Sequence, residues 1–230
     1  MSYEEHVLLL SCRNCGSGLS GLTSDTIFLC TNCGRCWVSD EGLSEVEAIV
    51  CRDDSDDAIH LPFWEIKASV GVKERITRMQ SWTSPQEGPR FFTRHSERGL
   101  QSTWREVEGK SILLPAFSTS RTLSTGVRLD RNPPVLEEVA DMDFPSVVGG
   151  STTIADAIGL ARGVAVGIEV DADDYLAMVD IDFTPFGCRL AVLPCYPRGI
   201  SLVIADTGVG VPCSSIEDWQ AICRWHGITS

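Results

Sequence analysis

The sequence predicts an α+β protein rich in strands, with a small four-cysteine module at the N-terminus and then a mostly antiparallel β body carrying a few short helices. Three observations predict it. Two Cys-x-x-Cys-Gly motifs lie near the start of the 230-residue chain. A Leu-Pro-x-aromatic phrase recurs three times further along. Helix signals are confined to two stretches in the C-terminal half.

The first motif is Cys12-Arg13-Asn14-Cys15-Gly16 and the second is Cys30-Thr31-Asn32-Cys33-Gly34. A Cys-x-x-Cys sets two thiolates on one tight turn, and the following glycine lets the backbone swing its N–H groups toward the sulfurs. Two such turns satisfy a four-coordinate metal, so Cys12, Cys15, Cys30 and Cys33 are the expected ligands of one structural zinc ion. The 14 residues between Cys15 and Cys30 fall just short of the usual spacing of about 15–20 but suffice for a short hairpin. Iron in four thiolates is the competing metal, since the ligand set alone does not separate the two.

Ten cysteines also raise the alternative of disulfides. Against it, the opening Met-Ser-Tyr-Glu-Glu-His is acidic, and the apolar run at residues 7–10 is shorter than a signal-peptide core of about 7–15 residues. The expected setting is the cytoplasm, where thiols stay reduced. Cys36 complicates the ligand count, because Cys33-Gly34-Arg35-Cys36 is itself a Cys-x-x-Cys and Cys36 competes with Cys30 or Cys33 as the fourth ligand. Choosing Cys30 and Cys33 puts glycine directly after the second ligand in both turns and leaves Cys36-Trp37-Val38 as a strand, with Cys36 a small buried filler. Cys51, Cys188, Cys195, Cys213 and Cys223 have no metal-ligand spacing and read as core residues.

In the body, Leu61-Pro62-Phe63-Trp64, Leu114-Pro115-Ala116-Phe117 and Leu193-Pro194-Cys195-Tyr196 share one phrase. Each reads as a strand start, where proline's missing N–H is tolerated. After the first, Trp64, Ile66, Ala68 and Val70 alternate with Glu65, Lys67 and Ser69, the period of a half-buried strand. The unequal intervals exclude a solenoid and point to strands of one sheet system. Residues 151–163 open with capping residues and end on glycine, as a helix does. Residues 176–183 and 188–194 read as paired strands about a Thr184-Pro185-Phe186-Gly187 turn, residues 200–205 as a further strand, and residues 215–225 as a closing helix with Ile216, Trp219, Ile222 and Cys223 on one face.

Charge is unevenly placed. A formal net charge of −13 and a pI near 4.7 argue against nucleic acid as a partner, because phosphate binding runs on Lys and Arg. Residues 1–50 carry two arginines against seven carboxylates, and residues 130–182 carry two against twelve. Residues 53–57, Asp-Asp-Ser-Asp-Asp, form a solvated acidic turn. Between Lys67 and Lys110 the balance reverses, with nine basic residues against five glutamates and Trp82, Phe91, Phe92 and Trp104 interleaved. Inside so acidic a chain, that segment is expected to be a loop-rich insertion or to face an acidic protein surface. No apolar run approaches the roughly 18 residues of a membrane span.

Catalytic signatures are weak. Asp206-Thr207-Gly208 after an apolar run has the letters of an aspartic-protease triplet, but that chemistry needs two carboxylates sharing a proton and the chain has one such triplet; a hairpin turn is the plainer reading. Gly149-Gly150-Ser151-Thr152 before a helix lacks the lysine and the glycine spacing of a phosphate cradle. His6, His60, His95 and His226 are scattered, and no dyad is expected.

The two Cys-x-x-Cys-Gly turns, with Trp37 shortly after the second, resemble the zinc-ribbon domains found in many cytoplasmic proteins. Residues 61–64, 114–117 and 193–212 look similar to a loosely defined set of uncharacterised bacterial proteins in which such a ribbon precedes repeated Pro-aromatic strands. Length and charge divide the chain into a zinc ribbon at residues 1–50, an acidic linker at 51–60 and a β-rich body at 61–230 that holds the basic, aromatic-containing insertion at about 71–110. The resemblance supplies no catalytic residue and implies an adaptor or assembly role; a closed four-thiolate site, with no open position for substrate, adds the expectation of a non-enzymatic scaffold, adaptor or accessory subunit that works through protein–protein contacts. The alternatives are a nucleic-acid-associated ribbon factor and a rubredoxin-like iron electron carrier.

Overall fold

A computed structural model of the chain describes residues 10–40, 42–51, 55, 57–77, 105–136, 144–170 and 176–228. The protein is a β-dominated α+β fold, as the sequence predicts, with a cysteine cluster at its N-terminal end. Its N-terminal module is built from short strands: β1 (Leu10–Ser11) pairs with β2 (Gly18–Leu19), while β3 (Ile27–Leu29), β4 (Cys36–Ser39) and β5 (Leu43–Val46) form a three-stranded antiparallel sheet.

The body is organised by β6 (Ala48–Val50), β7 (Ile59–Thr77), β8 (Arg105–Pro115), β9 (Leu176–Arg198), β10 (Ser201–Ile204) and β11 (Gly210–Pro212) in a six-stranded sheet. Its order is β11-β10-β9-β7-β8, antiparallel throughout, with β6 laid parallel on β9 at Ala48↔Leu190. The helices are α1 (Thr122–Arg131), α2 (Ile154–Val170) and α3 (Trp219–Trp225), the last preceded by a 3-10 turn at Cys213–Ser215.

Side chains alternate across a strand, and β7 uses both of its faces. Trp64, Ile66, Ala68, Val70 and Val72 join one core with α2 (Ala157, Ala161, Val164). Ile59, Leu61 and Phe63 join the other, with Leu202, Ile204, Val211 and Ile222. The alternation read over residues 64–70 is therefore the first of these two faces.

The Leu-Pro-x-aromatic phrases meet side by side. Leu61 lies opposite Leu193 and Trp64 opposite Leu114, and the Phe63 and Phe117 rings pack edge to face at 5.5 Å. Only the first phrase sits near a strand start. The second ends β8 and the third falls late in β9, because antiparallel neighbours arrive at the same end of the sheet from the opposite direction.

Three further expectations are corrected. Residues 184–187 do not turn: β9 runs unbroken from Leu176 to Arg198 against the whole of β7, and Phe186 is the extra residue of a β-bulge between the pairs Lys67↔Gly187 and Ala68↔Pro185. Proline is tolerated there because β9 has a described neighbour on one side only over this stretch. The helix expected at 151–163 starts at Ile154, where the Thr153 hydroxyl accepts the Asp156 N–H, and it runs on through Gly163 because Val164 and Ala165 are buried beneath it. The closing helix is shorter than expected, beginning at Trp219 after the 3-10 turn. Most of the acidic stretch at 53–57 and most of the basic, aromatic segment, residues 78–104 with Trp82, Phe91, Phe92 and Trp104, lie outside the described residues.

The cysteine module is packed into the body. Ile27, Leu29, Cys36 and Val38 belong to the same core as Trp64 and α2. The Thr26 and Ile27 N–H groups donate to the Gly150 carbonyl at 2.6 and 3.0 Å, and Leu190 N–H donates to Glu47 O at 2.8 Å.

Candidate metal centre

Each Cys-x-x-Cys-Gly folds into the same knuckle. In the first, Cys12 N–H donates to Ser17 O and Gly16 N–H to Cys12 O, both at 2.8 Å; in the second, Cys30 N–H donates to Arg35 O at 2.9 Å and Gly34 N–H to Cys30 O at 2.8 Å. The turn closes only if the glycine is left-handed, and Gly16 and Gly34 sit at φ +75° and +70°. The glycines that followed both second cysteines in the sequence therefore mark the geometry itself.

The two knuckles face one another. Cys12 Sγ lies 3.6 Å from Cys33 Sγ, Cys15 Sγ lies 3.5 Å from Cys30 Sγ, and all four sulfurs lie within 4.8 Å of one another. A tetrahedron with metal–sulfur bonds of about 2.3 Å has sulfurs about 3.8 Å apart, so the thiols stand at the separation a metal ion requires. Four thiols and no other donor suit zinc or iron. Cys36 is not among them: it faces the core from β4, 1 % exposed, and burial pushes its thiol up to about 12.

The surroundings treat the four sulfurs differently. Cys12 is buried and burial would raise its thiol, but the N–H groups of Cys15 and Asn14 and the Trp37 indole, which donates to Sγ at 3.3 Å, outweigh that and lower it. Cys15 is exposed, and the hydroxyl and N–H of Ser17 hold it down to about 5. Cys30 is fully buried and is pushed up to about 12 by burial. Metal binding replaces the thiol protons, so it supplies the charge compensation that the buried side of the site lacks. Arg35, beside the second knuckle, hydrogen-bonds Glu45 and also feels the Cys33 and Cys12 thiolates.

The other residues weighed from the sequence fall into plain structural roles. Asp206-Thr207-Gly208 is the hairpin turn between β10 and β11, with Asp206 left-handed at φ 59° and the Thr207 hydroxyl donating to Ile204 O and accepting from Val209 N–H. The N–H groups of Ser151 and Thr152 both donate to Ala116 O, which leaves neither to cradle an anion. A polar cleft of about 680 Å³ opens beside them, but Asp156, Glu217 and Asp218 line it and would repel one. Burial, followed by the nearby His60, lowers His226. Cys51, Cys195, Cys213 and Cys223 are buried and Cys188 half-buried, with burial pushing Cys188 up to about 11.

Two partners of the site were not read from the sequence. Phe144 presses its ring onto Gly34 so closely that a Cβ there would collide with it. Nothing in the stretch leading to Phe144 signals this. The Trp37 indole bond to Cys12 is the second. The aromatic was noticeable after the knuckle, but its N–H has a direction only once β4 is paired.

In comparisons with known proteins, the chain matches no family model, no curated protein and no solved structure. The fold and the site define a β-rich protein with a four-cysteine centre arranged to hold a metal ion.

Proposed function

We propose that the chain is a cytoplasmic, non-enzymatic zinc-ribbon protein that serves as a scaffold, adaptor or accessory subunit through protein–protein contacts. The observation that carries this reading is the closed ligand set. Four thiols complete the coordination of zinc and leave no open position for substrate, so the binding free energy goes into folding and into presenting a surface. The net charge of −13 supports a protein partner over a nucleic acid.

Elemental analysis of protein purified without added metal, with absorption spectroscopy and gel filtration against a defined candidate partner, tests the reading. One zinc per chain, a colourless protein and a stoichiometric complex are expected. Thiolate–iron absorption with reversible reduction would replace the scaffold by an electron carrier. Steep salt-dependent binding to DNA or RNA would replace it by a nucleic-acid factor. Turnover of a substrate by the isolated chain would end the non-enzymatic reading.

A further inference from the structure

The cysteine module covers the main core of the body, and one short strap of chain runs beneath it. Residues 144–152 start with Phe144 against Gly34, the residue directly after the Cys33 ligand. They continue through Val147 and Val148, buried in the two cores on either side of the sheet. At Gly150 the carbonyl takes the Thr26 and Ile27 N–H groups of the module, and at Thr152 the carbonyl takes the Trp64 indole N–H at 2.8 Å. Trp64 is fully buried and lies in the same core as Ile27, Leu29 and Val38. Two residues beyond Thr152, α2 begins.

The knuckle is thus joined to the centre of the sheet by continuous contact: Cys33, Gly34, Phe144, the strap, Trp64. Without metal, Cys30 and Cys33 are no longer bonded through it to Cys12 and Cys15, and the left-handed turn at Gly34 is left to the β3–β4 hairpin that flanks it and to the Phe144 contact. Phe144 and the β3–β4 wall would then lose their footing together.

We propose that occupancy of the four-cysteine site is a latch on the body, with Phe144 as the positioning residue that transmits it, so that withdrawal of the metal loosens β7 and the start of α2 as well as the module. The inference rests on the metal-binding reading.

Hydrogen exchange on the full chain tests it, comparing zinc-loaded protein with protein stripped by a chelator under reducing conditions and then refilled. The expected result is a loss of protection of about tenfold or more at residues 64–72 and 154–161 on stripping, regained on refilling, with a smaller change in the β10–β11 hairpin. Loss confined to residues 10–46 would overturn the latch. Phe144→Ala, with Phe144→Leu as the milder change, supplies the second arm. Both variants should still bind one zinc per chain, while the metal-dependent change at residues 64–72 and 154–161 falls by about threefold or more in Phe144→Ala. An unchanged response in that variant would overturn the role given to Phe144. A chain that takes up no metal at all defeats the metal reading itself, an outcome separable from both.

Discussion

The two knuckles have one sequence pattern and one backbone geometry, yet they live in different surroundings. The first shows Cys15 to water, and a Cβ on Gly16 would meet nothing within 4 Å. The second has Cys30 fully buried and Gly34 capped by the Phe144 ring. Local sequence makes the knuckle, because a glycine at the left-handed position closes the turn wherever it occurs. What a knuckle is worth to the rest of the molecule is set by its neighbours, and among the described residues it is the second that is packed against the body.

Replacing each glycine by alanine separates these two contributions and should give the largest effect. Gly16→Ala pays only for a left-handed alanine, about 1 kcal/mol. Gly34→Ala adds the displacement of Phe144, for a total of about 3–4 kcal/mol. Chemical denaturation of the two zinc-loaded variants measures both. Equal losses would mean that the Phe144 contact carries no stability and that the knuckles are equivalent after all.

The turn between the knuckles shows what docking the module costs. Asp25 is 8 % exposed; one carboxylate oxygen accepts the Leu22 N–H at 2.7 Å, and the other has no hydrogen-bond partner among the described residues. Burial raises its pKa to about 6, against the N–H groups of Leu22 and Gly149 and with help from Asp218. A carboxyl whose folded pKa lies above its unfolded value contributes most when protonated. Its contribution is full below the unfolded value near 4 and is lost as pH rises through about 6. Asp25→Asn keeps the acceptor and removes the charge, so it should stabilise the protein at pH 7 by up to about 3 kcal/mol and by nearly nothing at pH 4. The difference between wild type and variant, followed from pH 4 to 7, cancels the effect of acid on the thiols. A pH-independent difference would show that Asp25 is better solvated than its burial indicates.

What the sequence reveals and conceals follows from the range of each interaction. The four cysteines and the two glycines are legible because a knuckle is closed by residues within five positions of one another. The strand at 64–70 is legible because alternation is local. The bulge at Phe186 is not, since Thr-Pro-Phe-Gly has the letters of a turn and only the 19-residue β7 strand alongside it holds the chain straight. The Leu-Pro phrases were visible as repeats, but their meeting across β8, β7 and β9 depends on register. Phe144 lies 110 residues from Gly34, and no periodicity connects them.

The Trp37 indole sharpens the comparison from the side of the metal. It serves the first knuckle through Cys12, where its N–H lowers the charge that the sulfur must carry into a buried position. Trp37→Phe keeps an aromatic in the β4 core and removes the donor. Groups that hydrogen-bond metal ligands typically set affinity within 10–100-fold, so zinc binding should weaken by about tenfold. Competition with a chromophoric chelator measures it. An unchanged affinity would mean that burial alone, and not the N–H, adapts Cys12 to the metal.

Arg35 should give the smallest effect. It pairs with Glu45 across the start of β4 and the end of β5, and both side chains are about half exposed, 54 % and 44 %. Water and salt screen such a pair, and fixing two long side chains costs entropy that offsets the attraction. Arg35→Ala should therefore leave the melting temperature of the zinc-loaded protein within about 1–2 °C of wild type. The residue has a second connection, however, because its charge is felt at Cys33 and Cys12, and a zinc ion in four thiolates leaves an excess of two negative charges. If Arg35→Ala weakens zinc binding while the melting temperature hardly moves, and if added salt removes the difference, the arginine acts on the charge of the centre and its pairing with Glu45 only holds it in place. A loss of stability that persists in high salt would instead assign Arg35 a packing role in the second knuckle, and would add to the asymmetry that Phe144 already gives it.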